Sequence, residues 1–128
     1  MISAKDFTRE ESMALFAVVS GTAGVDQHVD QLELNFLTNL MLLLHLTEEE
    51  KKKALSLGEE AMSIISKMSY EKKYLIACLV SFGLIADGKL YPIEESYRDF
   101  VSSKCGLPIE KNYETANKVV ADFYWASK

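Results

Sequence analysis

Apolar positions recur along this chain at three- and four-residue intervals almost from end to end, which is the period of a helix with one buried face. Leu32, Phe36, Leu40 and Leu43 mark one such face, and Tyr113, Ala116, Val120 and Phe123 another. Two stretches go further. Met13, Leu15, Phe16, Val18 and Val19 crowd one helix, and Tyr74–Val80, Phe82 and Leu84 make another apolar on most sides. A helix apolar all round is a buried one, so these two are expected at the centre. No stretch alternates with period two, and no Asn-Gly or Asp-Gly turn sits between two alternating runs, so strands are not expected.

Helix starts are written in capping residues. Thr8-Arg9-Glu10-Glu11 and Thr47-Glu48-Glu49-Glu50 fit a box in which the hydroxyl accepts from the third amide while the third carboxylate reaches back. Asp30-Gln31-Leu32-Glu33 has the same logic, with Val29 and Leu34 placed as a hydrophobic staple. Pro92 and Pro108 suit first-turn positions, where a missing N–H costs nothing. Gly58 and Gly106 fall where helices stop or connect tightly. The resulting expectation is an all-α domain over residues 1–128, with about seven helices near 8–22, 30–45, 47–55, 58–67, 69–86, 92–104 and 109–126.

Charge removes several functions. A net charge of −5 repels a polyanion, so no nucleic-acid partner is expected. The run Glu48 to Lys53 reads as a solvated face with Glu48–Lys52 and Glu49–Lys53 in favourable i,i+4 order. Charges near the start replace the apolar stretch of a secretory signal, and no apolar run approaches the roughly 20 residues of a membrane span. A cytoplasmic location is expected, with membrane association only through partners. Cys78 and Cys105 lie in apolar helical patterns at a spacing that fits no zinc or redox motif, so both read as reduced core thiols.

The chain also matches itself. A shift of 61 residues lays Asp26 on Asp87, Val29 on Leu90, Leu32 on Ile93, Glu33 on Glu94, Phe36 on Tyr97, Leu40 on Val101 and Leu46 on Leu107. Upstream, Leu15 falls on Ile76 and Val19 on Val80. Each copy reads as a buried helix, a short acidic loop and a helix with Glu near its start. Repeat halves near 13–50 and 74–111, related by a pseudo-two-fold axis, are the expected plan.

The loops pose the chemical question. Asp87-Gly88-Lys89-Leu90 through Glu94 matches the later positions of a calcium loop, but its first and third positions are Gly83 and Ile85, which supply no carboxylate. That rules against an EF-hand. Asp26, Glu33, Asp87 and Glu94 are the candidate metal residues, for a site gathering hard oxygen ligands from both copies. Calcium, magnesium, manganese or zinc is the candidate ion. The same residues also serve structure. Glu33 and Glu94 suit a cap at the third helical position, and Asp26 and Asp87 suit Asx-turns. His28 between Asp26 and Asp30 is the one arrangement suggesting a metal-dependent enzyme, and no nucleophile–base motif accompanies it. Tyr124 and Trp125 are the candidate rim of a protein interface.

Ala86-Asp87-Gly88, Leu90 and Glu94, followed by Gly106-Leu107-Pro108, resemble the tellurite-resistance TerB-like domain. The first copy keeps Val29, Glu33 and Leu46-Thr47 but has Asp26-Gln27 in place of Asp-Gly. The resemblance spans about Met13 to Glu110. It implies an all-helical, duplicated bacterial module without enzymatic activity, acting in tellurite or chemical-stress resistance. It also implies a candidate metal site at Asp26, Glu33, Asp87 and Glu94, and protein partners. The alternative is a protein–protein adaptor whose acidic loops only cap helices.

Overall fold

The computed structural model describes residues 2–23, 31–84 and 92–128, and only the backbone of residues 22, 23, 33, 84 and 94. Among the described residues there are seven α-helices and no strand. A 3₁₀ turn, Ala4–Asp6, precedes α1 (Arg9–Ala23), α2 (Gln31–Leu43), α3 (Glu48–Leu55), α4 (Glu59–Ser66), α5 (Tyr70–Leu84), α6 (Pro92–Cys105) and α7 (Tyr113–Ala126). No helix among them is long and apolar enough to cross a membrane.

The two expected capping boxes that lie wholly within the described residues close as the sequence requires. The Thr8 N–H donates to Glu11 Oε1 at 2.9 Å, and the Glu11 N–H donates to Thr8 Oγ1 at 3.1 Å. The Thr47–Glu50 pair repeats this at 3.0 and 3.1 Å. Asp30 and the staple residue Val29 lie outside the described residues. The charge run behaves differently from its i,i+4 reading. Glu48 and Glu49 form no ion pair with Lys52 or Lys53, whereas Glu50 pairs with Arg9 of α1. Arg9 also donates to the carbonyls of Leu44 and His45 at 3.1 and 2.8 Å, so one guanidinium joins the start of α1, the end of α2 and the start of α3. Arg9 and the Thr47 amide together hold the Glu50 carboxyl down at about 2.

The largest displacement from the expected boundaries is at α7, which starts at Tyr113 rather than near 109. Pro108 does not open the helix. Glu110 is held instead: Tyr74 Oη donates to its carboxylate at 2.7 Å and Ser81 Oγ donates to its carbonyl at 2.8 Å. Those bonds fix the α6–α7 connection against α5. The cap falls to Asn112, whose side chain accepts from the Thr115 N–H at 3.1 Å.

The two apolar helices are central, as their patterns require. Leu75 to Ser81 of α5 are all buried, as are Met13 to Phe16, Val18 and Val19 of α1. α1 packs on α2, α3, α4, α5 and α6, while α5 packs on α1, α2, α6 and α7. Their buried side chains join those of α2, α4, α6 and α7 in one core that includes Leu40, Ile65, Val101 and Phe123.

α2 and α6 end in the same way. The Leu46 N–H donates to the Met41 carbonyl at 3.1 Å, and the Leu107 N–H donates to the Ser102 carbonyl at 3.0 Å. Each is the six-to-one bond of a Schellman closure, which needs a left-handed residue just before the donor. Gly106 supplies it at φ 69°, but in α2 the residue is His45 at φ 55°. A β-carbon is disfavoured there. His45→Gly is therefore expected to stabilise the protein by about 0.5–1 kcal/mol, partly offset by a freer unfolded chain. Urea unfolding read by circular dichroism checks this, and a lower midpoint for the variant would contradict it.

Candidate functional site

The sequence assigns four carboxylates to a metal site. Glu33 is the third residue of α2 and Glu94 the third of α6, the helical positions the capping logic gives them. Their backbones are described and their side chains are not. Asp26 and Asp87 lie outside the described residues, as do His28, Asp30 and Leu90. Among the described residues no three His, Cys, Asp or Glu side chains gather as a metal-holding group.

The cysteines are free and buried, as expected. Burial pushes both the Cys78 and the Cys105 thiol up to about 11. A thiol in that range stays protonated at neutral pH and is a poor nucleophile.

A surface feature that sequence reasoning did not single out lies where the start of α5 faces the end of α7. A groove of about 270 Å³ opens there, with Leu75 and Phe123 buried in its floor and Tyr74, Val119 and Ile2 along its walls. Tyr70 stands at its mouth, 70% exposed, with its ring stacked on Tyr74 at 6.4 Å and 12°. Glu71 on α5 and Asp122 on α7 line it as exposed carboxylates, and neither has an ion-pair partner among the described residues. The adjacent cation, Lys72, is engaged elsewhere: it pairs with Glu11 at 3.1 Å and sits 5.2 Å from the Phe7 ring centre. The Tyr74 phenol donates to Glu110, which raises its own pKa, and the same bond with the Asn112 amide lowers that of Glu110. Tyr74 is thus a fixed wall, and Tyr70 is free to meet a ligand.

The signal for this groove was present. Tyr70 and Tyr74 are an i,i+4 aromatic pair near the start of a helix whose later residues are core, and Asp122 is three residues after Val119 on α7. Neither becomes a site until the two helices are placed side by side. Of the expected Tyr124–Trp125 rim, Trp125 is 72% exposed, with Lys128 Nζ 4.8 Å from its ring centre. Tyr124 turns inward. Its hydroxyl is buried without a hydrogen-bond partner among the described residues, and burial pushes it up to about 12.

No family model matches this chain, and no curated protein matches it. Among solved structures it is similar to the crystal structure of a protein of unknown function, PG1108 from Porphyromonas gingivalis W83. The TM-score is 0.69 at 19% sequence identity, over 94% of this chain and 92% of that one. The two chains share a fold. At that identity the likeness carries the helical architecture and nothing about chemistry.

Proposed function

We propose that this chain is a non-enzymatic, TerB-like helical binding module, built from two copies of one helix-pair unit about a pseudo-two-fold axis. It holds a divalent cation between its acidic loops and acts with protein partners in a bacterial stress-response assembly. The observation that carries this reading is the pair of Schellman closures at His45–Leu46 and Gly106–Leu107, which stand in the 61-residue register of the sequence repeat. A reciprocal contact supports the same plan. Phe36 of α2 packs on Gly83 of α5, and its repeat partner Tyr97 of α6 packs on Gly21 of α1, the two glycines standing one position out of the repeat register. Glu33 and Glu94 enter their helices at matching positions, so a two-fold relation would present both acidic loops alike.

Titration calorimetry with calcium, magnesium, manganese and zinc chlorides tests the cation. Saturable binding of one of them is expected, weakened at least about tenfold in an Asp87→Asn, Glu94→Gln variant, because hard cations depend on charged oxygen ligands. Absence of heat with all four ions, or unchanged binding in the variant, overturns the cation reading.

A second reading, that of a protein–protein adaptor, is favoured by the groove between α5 and α7. It has an apolar floor, an exposed tyrosine and two carboxylates without ion-pair partners among the described residues; the core uses the floor but neither the tyrosine nor the carboxylates.

A further inference from the structure

We propose that the α5–α7 groove docks a peptide segment of another protein that carries one large apolar side chain flanked by lysine or arginine. The proposal rests on the adaptor reading and names what that surface takes.

Size comes first. About 270 Å³ falls below the roughly 300–1,000 Å³ of sites that enclose drug-sized ligands, so the groove suits a side chain rather than a cofactor. Its floor, Leu75 and Phe123, is hydrocarbon and belongs to the packed core, so the pocket is preformed and little ordering opposes binding. Tyr70 adds a large amphipathic ring at the mouth, of the type enriched where proteins meet.

Charge selects the flanks. Glu71 and Asp122 come from the two helices that line the groove, both are exposed, and neither has an ion-pair partner among the described residues. The cation next to Glu71, Lys72, already has Glu11 as its partner. A segment with basic residues on both sides of its apolar anchor meets one carboxylate on each helix, and a cation can also lie over the Tyr70 ring. An acidic segment or a phosphate backbone meets these two carboxylates on a protein of net charge −5.

The test is ¹⁵N-resolved NMR titration of the full chain in buffer containing EDTA, so that cation binding plays no part. The probes are two short peptides with a single central Phe, one flanked by lysines and the other by glutamates. The lysine peptide is expected to move the resonances of Tyr70, Glu71, Val119 and Asp122, and to bind at least about tenfold more tightly than the glutamate peptide. Glu71→Gln with Asp122→Asn, both at exposed positions, is expected to weaken it about threefold to tenfold, as two rim ion pairs allow. Raising salt should weaken it as well. Equal binding of both peptides at the groove overturns the charge assignment and leaves the adaptor reading standing. If neither peptide moves the groove resonances, both fall.

Discussion

Phe123→Ala is expected to cost about 3–5 kcal/mol, the range for removing a fully enclosed aromatic side chain. Phe123 is 1% exposed and is the largest of the fully buried side chains. Its ring meets Phe7 edge-on at 6.3 Å and 84°. Phe7 in turn lies under the Lys72 ammonium, and Ser127 at the end of α7 accepts from the Ala4 N–H at 2.8 Å while donating to the Phe123 carbonyl at 2.7 Å. Loss of the ring therefore empties the α5–α7 contact and loosens the clasp that holds residues 2–7. With a total stability of roughly 5–15 kcal/mol for a domain of this kind, the variant should melt about 10–20 °C lower. Trp125→Ala is the internal control. It removes a larger side chain from the same helix, but that side chain is 72% exposed, so the expected change is within about 0.5 kcal/mol. Thermal and urea unfolding of both variants checks the pair. Equal losses would mean that α7 is held by propensity rather than by its buried face.

Much of this architecture was legible because the signals are local. Thr8–Glu11 and Thr47–Glu50 need only four residues each to specify a helix start, and both close as written. The apolar runs in α1 and α5 required a central position whatever surrounded them. Where the sequence reading slipped, the deciding interaction was distant along the chain. Pro108 predicts a helix start by itself, but Tyr74 and Ser81 capture Glu110 and delay α7 to Tyr113. Glu48 and Glu49 are spaced to pair with Lys52 and Lys53, yet the ion pair that forms on this helix joins Glu50 to the distant Arg9. His45 at positive φ is invisible locally, because only the repeat register places it opposite Gly106.

The candidate sites divide in the same way. Glu33 and Glu94 could be placed at helix entrances from sequence, since capping is a short-range rule. Whether Asp26 and Asp87 come together depends on residues outside those described. The groove was not legible, because it is a property of two helices whose lining residues, up to Leu75 on one and from Val119 on the other, are distant in sequence. Glu71 and Asp122 each look like ordinary solvated charges until α5 and α7 are set against each other.

Gly83→Ala is expected to destabilise the protein by about 1–2 kcal/mol, although an alanine in an unconstrained helix interior gains about 0.5–1 kcal/mol over glycine. A β-carbon at position 83 would stand 2.9 Å from Phe36 Cε2 and 3.4 Å from Cδ2, inside contact distance. Phe36 has little room to retreat. It is 6% exposed, its ring lies 5.2 Å from that of Phe82, and Phe82 is stacked on Tyr113 at 6.1 Å. Overpacking of a ring held in this way typically costs about 1–3 kcal/mol, which exceeds the gain in helix propensity. Gly21→Ala provides the contrast. Its β-carbon would meet Tyr97 at 3.1 Å, but the atom met is the phenol oxygen at the tip of a half-buried side chain, which can swing aside. There the propensity gain and the small clash should cancel to within about 0.5 kcal/mol. A double-mutant cycle isolates the cause. If the clash with the ring is responsible, Phe36→Leu should cost less in the Gly83→Ala background than alone, by at least about 0.5 kcal/mol. Strict additivity would place the loss in the backbone of α5 instead.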